Sequence, residues 1–181
     1  MNKLDTGTRI GTMVMDHVIM SFVIFIIAAP GVAYDIFQQI NNPDPPMLML
    51  GNYYLNIFAF SLYFNKDIYL GRSPAKRILG LQLVDIKTGK PASPLKCLIR
   101  NLTTVFWPIE FVVSLINHER RIGDFIAGTK LIVYNPEQHS QKPNLTWIAL
   151  AIFMSIVITY FAFFYPIELF FDSSERVVDI L

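Results

Sequence analysis

The chain has 181 residues, 53% of them hydrophobic and only 16% charged, where soluble domains carry about 25% charged residues. Its mean hydropathy is +0.43. A net charge of +1 argues against a nucleic-acid partner, and the single Cys97 excludes an internal disulfide or a cysteine-based metal site. These bounds point to one small α-helical integral membrane protein.

In chain order, the first apolar segment covers residues 10–34, and no Asp, Glu, Lys or Arg occurs from His17 to Tyr34. Asp16 stands inside this stretch, seven residues after Arg9. A charged side chain at the centre of a membrane helix costs about 2.5–3.5 kcal/mol on insertion scales, so it persists when paired or functional. Lys3, Arg9 and Gly31-Val32-Ala33 imitate a cleavable signal. Cleavage would discard Asp16, and further apolar spans follow, so the segment is read as a retained helix. A stiff turn, Pro43-Asp44-Pro45-Pro46, leads to the second apolar segment, residues 45–64.

Residues 66–100 form a basic loop. Within it residues 78–84 read as a strand, followed by a turn at Thr88-Gly89-Lys90. The third apolar segment, residues 101–117, is interrupted by Pro108 and Glu110, and residues 130–134 read as a second strand. After a polar linker, residues 143–167 form the last span. Three segments therefore have the roughly 20 residues needed to cross a bilayer, and the third is broken or re-entrant. The expected organisation is a membrane domain over 8–134, an additional C-terminal helix over 143–171 and a short acidic tail over 172–181.

Cationic loops favour the cytoplasm. If the third segment is re-entrant, every Lys and Arg except Arg176 lies on the side of the N-terminus, which is then cytoplasmic. Four full crossings, with both termini inside, would instead place Arg120, Arg121, Lys130 and Lys142 outside. The two short strands favour the first arrangement, because they can pair only on one side. A small cytoplasmic β element is expected.

Seven residues separate Arg9 and Asp16 by about 10.5 Å along a helix. They share a face but lie too far apart for a tight mutual pair. Residues 119–129 offer the partners, and the expected pairs are Arg9 with Asp124, and Asp16 with Arg121 or Arg100. Asn52 and Asn56, one helical turn apart, could offer carbonyl oxygens to a cation, and Glu110 is a second carboxylate in a broken segment. The bland alternative for Asn52, Asn56, Tyr63, Ser155 and Thr159 is hydrogen bonding between helices. Arg72, Lys76 and Arg77 are candidates for anionic lipid headgroups, at about 1 kcal/mol per charge near the surface, or belong to an ordinary solvated face. His17 and His118 lack second-ligand spacing, so no metal site is expected. No cofactor fingerprint or catalytic constellation occurs, and the chain is not expected to be an enzyme.

The order of these motifs resembles the RDD family of small bacterial membrane proteins, named for one arginine and two aspartates. Arg9 and Asp16 match its first-helix pair in spacing. Gly71-Arg72-Ser73-Pro74-Ala75-Lys76 with Gly80-Leu81 resembles its Gly-x-Thr-Pro-Gly-Lys…Gly-Leu segment, and Gly89-Lys90-Pro91-Ala92-Ser93 and Arg100 follow in order. Arg120-Arg121-Ile122-Gly123-Asp124 with Ala127-Gly128-Thr129 resembles its Arg-Arg-Leu-His-Asp…Ala-Gly-Thr segment, which makes Asp124 the third named residue. Gly123 replaces the histidine of many members and removes a titratable group. The resemblance implies a bacterial plasma membrane and a link to cation–proton exchange.

Burial raises a carboxylate's pKa, so a proton and a monovalent cation can compete for it. Two functions are thereby expected. One is a secondary transporter exchanging protons for small monovalent cations at Asp16. The other is a non-transporting scaffold or assembly factor in which the Arg/Asp set is structural. So few helices around a pathway would imply a homo-oligomer, with the aromatic last helix as one candidate contact. The bilayer itself is the remaining partner.

Overall fold

The computed structural model describes residues 5–42, 53–116, 120–136, 142–166 and 169. Helix α1, Thr6–Asn41, runs for 36 residues. At 1.5 Å per residue that is about 54 Å, well beyond the roughly 30 Å of bilayer hydrocarbon. The Asp5 carboxylate opens it by accepting the Gly7 N–H at 3.1 Å. Asp35 does not end the helix, which continues until the Asn42 N–H closes on Gln38 O at 3.0 Å. Thr12, Asp16 and Met20 recur every four residues and form the buried stripe. Val18, Phe22, Phe25 and Ile26 are exposed on the outside. An apolar outer face of this extent suits lipid rather than water.

Helix α2, Tyr53–Phe64, is the described part of the second apolar segment. The turn at residues 43–46 and the candidate Asn52 lie outside the described residues. After α2 the chain turns through Leu70 (φ 57°) and Gly71 (φ 67°). A Cβ on Gly71 would lie 2.4 Å from Leu83 O, so the close approach needs glycine. Helix α3, Pro74–Ile78, follows, capped by Ser73 and opened by a proline at its first position.

Strand β1, Leu81–Asp85, pairs antiparallel with β2, Thr129–Val133, in the register Leu81 to Val133 and Asp85 to Thr129. The expected strand at 78–84 starts three residues late, because Ile78 still belongs to α3 and Gly80 (φ 63°) makes the change of direction. The expected turn after it is present, with Gly89 at φ 67° and Asp85 N–H donating to Lys90 O at 2.9 Å.

The third segment is helical but broken. It comprises α4, Pro94–Leu102, a 3₁₀ turn, Thr103–Phe106, and α5, Trp107–Ile116. The 3₁₀ turn directly precedes the helix that contains Pro108, which has no N–H to donate. Short helix α6, Ile122–Ala127, ends at Gly128 and leads into β2. Helix α7, Leu145–Thr159, is capped by Asn144 and continues through a π turn, Tyr160–Phe164.

Among the described residues three helical segments are long and apolar enough to cross a membrane: Thr6–Asn41, Pro94–Ile116 and Leu145–Phe164. With their exposed apolar faces they make this a multi-pass integral membrane protein. The core lies where α1, α2, α4 and α7 meet, around Met20, Tyr63, Phe64, Leu98 and Ala151. Asn65 Nδ2 donates to Ser155 Oγ at 2.5 Å and ties the end of α2 to α7. Ser155 therefore bonds between elements as expected. Thr159 Oγ1 is buried with no hydrogen-bond partner among the described residues.

Candidate functional site

Sequence charges that looked scattered converge on one buried cluster. Four carboxylates, Asp16, Asp67, Glu110 and Asp124, are paired with four cations, Arg9, Lys76, Arg100 and Arg121. They come from α1, the turn after α2, α3, α4, α5, the N-cap of α6 and α6 itself. Every carboxylate is at most 3% exposed. Burying ions costs several kcal/mol each unless geometry and further hydrogen bonds repay it, so the detail of the pairing decides whether the cluster is tolerable.

Asp124 is fully buried. Its Oδ1 accepts from Arg100 Nε at 2.6 Å and from Thr129 Oγ1 at 3.0 Å. Its Oδ2 faces Arg9 Nη2 and the Arg121 N–H, both at 3.4 Å. Burial alone would push this carboxyl up, but the Arg100 and Arg121 guanidinium groups outweigh it and hold it below the usual range. The expected Arg9–Asp124 contact is present, though Arg100 is the closer partner.

Asp67 is the hub that sequence reasoning missed. Its Oδ1 faces Lys76 Nζ at 2.8 Å and accepts the Ser73 N–H at 3.1 Å. Its Oδ2 accepts from Arg100 Nη1 and Asn101 Nδ2, both at 3.1 Å. Against burial, the Lys76 and Arg100 cations hold this carboxyl far below the usual carboxylate range. In sequence Asn65-Lys66-Asp67 reads as an ordinary polar helix end. No local signal marked it, because the sequence left Lys76 on a solvated face and so balanced three bases, Arg9, Arg100 and Arg121, against three acids, Asp16, Glu110 and Asp124.

Asp16 does not pair with Arg121 or Arg100. Its Oδ2 accepts from Lys76 Nζ at 2.5 Å. The Gly71 turn and the Ser73 cap place α3 against α1, while Arg100 is already held by Asp67 and Asp124. The same contact removes Lys76 from the headgroup candidates, because it is 1% exposed. Arg72 is half-buried, donates to Leu81 O at 3.1 Å and lies over the Tyr134 ring. Only Arg77 of that trio is exposed.

Glu110 is buried inside the protein. Its Oε1 accepts the Gly123 N–H at 3.1 Å and the Thr103 hydroxyl, and its Oε2 faces Arg121 Nη1 at 3.4 Å. Gly123 presses onto α4 so closely that a Cβ there would sit 2.3 Å from Arg100 O. His17 Nδ1 hydrogen-bonds the Tyr63 hydroxyl at 2.8 Å, and its ring stacks with Trp107. Asn56 is buried on α2 and does not line the cavity that the cluster encloses.

That cavity leaves about 20 Å³ for the centre of a water-sized sphere, and Asp16, Lys76, Ser114 and Arg121 are among the residues around it. This is room for about one water or small ion. Asp16 Oδ1 and Arg121 Nε are buried with no hydrogen-bond partner among the described residues. An acceptor and a donor of this kind are what an internal water or ion satisfies. Among the described residues no group of three His, Cys, Asp or Glu side chains could hold a metal ion.

Comparison with known proteins gives one result. The model of the RDD family matches residues 5–166 and so takes in α7 as well as the charged motifs. No curated protein and no solved structure matches the chain.

Proposed function

Since the chain belongs to the RDD family and is a multi-pass membrane protein, we propose that it is a secondary transporter exchanging protons for small monovalent cations at the Asp16 cluster. The observation that carries this reading is the second oxygen of Asp16. It belongs to a carboxylate 3% exposed, has no hydrogen-bond partner among the described residues, and its side chain borders a cavity of ion size. Exchange needs such an oxygen, which binds either a proton or a cation and not both. The reading is non-enzymatic, and it takes protons and alkali cations as the species moved.

The N-terminus is assigned to the cytoplasm. The basic loop supports this, and so does the pairing of β1 with β2, which flank the third segment and meet on one side of it. A homo-oligomer would supply the further walls that a pathway needs.

One observation favours the second reading, a scaffold with structural charges. Four acids are matched by four bases, and most of their atoms are satisfied.

Proteoliposomes with a trapped pH dye separate the two. Under the transport reading, Na⁺, K⁺ or Li⁺ pulses move protons in wild type, and Asp16→Asn abolishes this while keeping the fold. No proton movement by wild type in sealed vesicles would leave the scaffold reading standing.

A further inference from the structure

Lys76 carries three N–H donors and no acceptor, and the fold supplies one oxygen for each. Asp16 Oδ2 lies at 2.5 Å, Asp67 Oδ1 at 2.8 Å and Ser73 Oγ at 3.1 Å from Nζ. The three oxygens come from α1, the turn after α2 and the cap of α3. Ser73, Asp67 and Asp16 are 0%, 0% and 3% exposed. Two carboxylates and a hydroxyl around one buried ammonium make the environment in which a bound ammonium or alkali ion is stable. Lys76 differs from such an ion only in being tethered.

Asp16 is among the residues around the cavity, and its unpartnered Oδ1 adds a fourth oxygen that the lysine does not use. We propose that Asp16, Asp67 and Ser73 form a monovalent-cation site whose resident cation is the chain's own Lys76 ammonium, and that a free cation enters by displacing it. Two full positive charges cannot share the same three oxygens at low dielectric, so occupancy is exclusive. Arg100 stays on the outer oxygen of Asp67, at 3.1 Å, and keeps the site from accumulating negative charge. This inference deepens the exchange reading by naming the ligands and the competitor, but its test requires only binding.

Lys76→Ala removes the tethered cation and leaves its oxygens. In detergent, at one pH and one ionic strength, the variant should melt higher in ammonium, sodium or potassium chloride than in N-methylglucamine chloride. The gain should grow with the logarithm of concentration, reaching about 3–6 °C at ten times the half-saturating concentration. Adding Asp16→Asn should remove most of the gain. Should Lys76→Ala fail to fold, wild type decides. A water-soluble amine-acylating reagent should modify Lys76 several-fold faster in alkali chloride than in choline chloride, whose quaternary nitrogen does not consume the reagent, read by peptide mass. Equal melting in all salts, or equal labelling where the variant does not fold, overturns the proposal. Salt-specific stabilisation without proton movement in vesicles keeps this site and removes transport. Proton movement without stabilisation or labelling keeps transport and places its ion elsewhere.

Discussion

Arg100 and Lys96 sit one turn apart on α4, and each pairs with an aspartate. Arg100 meets Asp124 with side chains 3% and 0% exposed, whereas Lys96 meets Asp85 of β1 with side chains 32% and 15% exposed. The charges are alike and the helix is the same. What differs is the water, and with it the consequence of losing a partner. A buried pair is costly to assemble and costlier to break, because the survivor is stranded. An exposed pair is rescued by solvent and contributes about 0–1 kcal/mol. The cluster is therefore the place where a single substitution should matter most.

The sharpest way to break this contrast is Arg100→Met. It strands both Asp67 and Asp124, and should cost about 3–5 kcal/mol or prevent folding. Thermal melting in detergent reads it, and a variant as stable as wild type would sink the account. Exchanging the charges of Arg9 and Asp124 should not restore stability to the single variants. An arginine at position 124 would face Arg100, whose Nε now lies 2.6 Å from Asp124 Oδ1. Gly123→Ala probes the same region without touching a charge. Its Cβ would collide with Arg100 O, and a loss of about 1–3 kcal/mol is expected.

The pH dependence sharpens the comparison further. Asp67 and Asp124 are held below the usual range. Their stabilisation is complete above the unfolded carboxylate pKa, about 4, and is lost as pH falls through their lower folded values. Acid unfolding should therefore be shallower in Asp124→Asn. Lys66, whose ammonium lies 4.5 Å from the Tyr63 ring centroid, gives a slope of the same sign in a higher pH window. Burial pushes it down to about 7, so between about 7 and the unfolded value near 10 the unfolded chain binds more protons. Stability should climb with pH across that window, and Lys66→Met should flatten the rise. The smallest effect belongs to the partly exposed pair. The Lys96 ammonium, with help from the Lys87 and Thr88 N–H groups, holds the Asp85 carboxyl low. Lys96→Ala should nevertheless cost no more than about 1 kcal/mol, and less at high salt.

Much of the cluster was legible before any fold was known. Arg9 and Asp16 stand out because they border or interrupt the first apolar run, and Asp124, Arg121 and Arg100 because they are the charges that could partner them. Lys76 was misread as surface because a basic loop ordinarily faces water. Its burial depends on the Gly71 turn and the Ser73 cap acting together, which no local periodicity encodes. Asp67 was missed for the same reason. It lies 33 residues from Arg100 along the chain, and only packing brings them together.

By itself the sequence determined the membrane class, the first and last apolar spans, a break in the third segment and the two strands that pair. Those features follow from local hydropathy and backbone chemistry. The tertiary structure alone decided which charge faces which, that Lys76 rather than an arginine sits on Asp16, and that Glu110 belongs to the cluster. Ion pairing at low dielectric is decided within a few ångströms, a scale at which distant segments must already be packed before a partner exists.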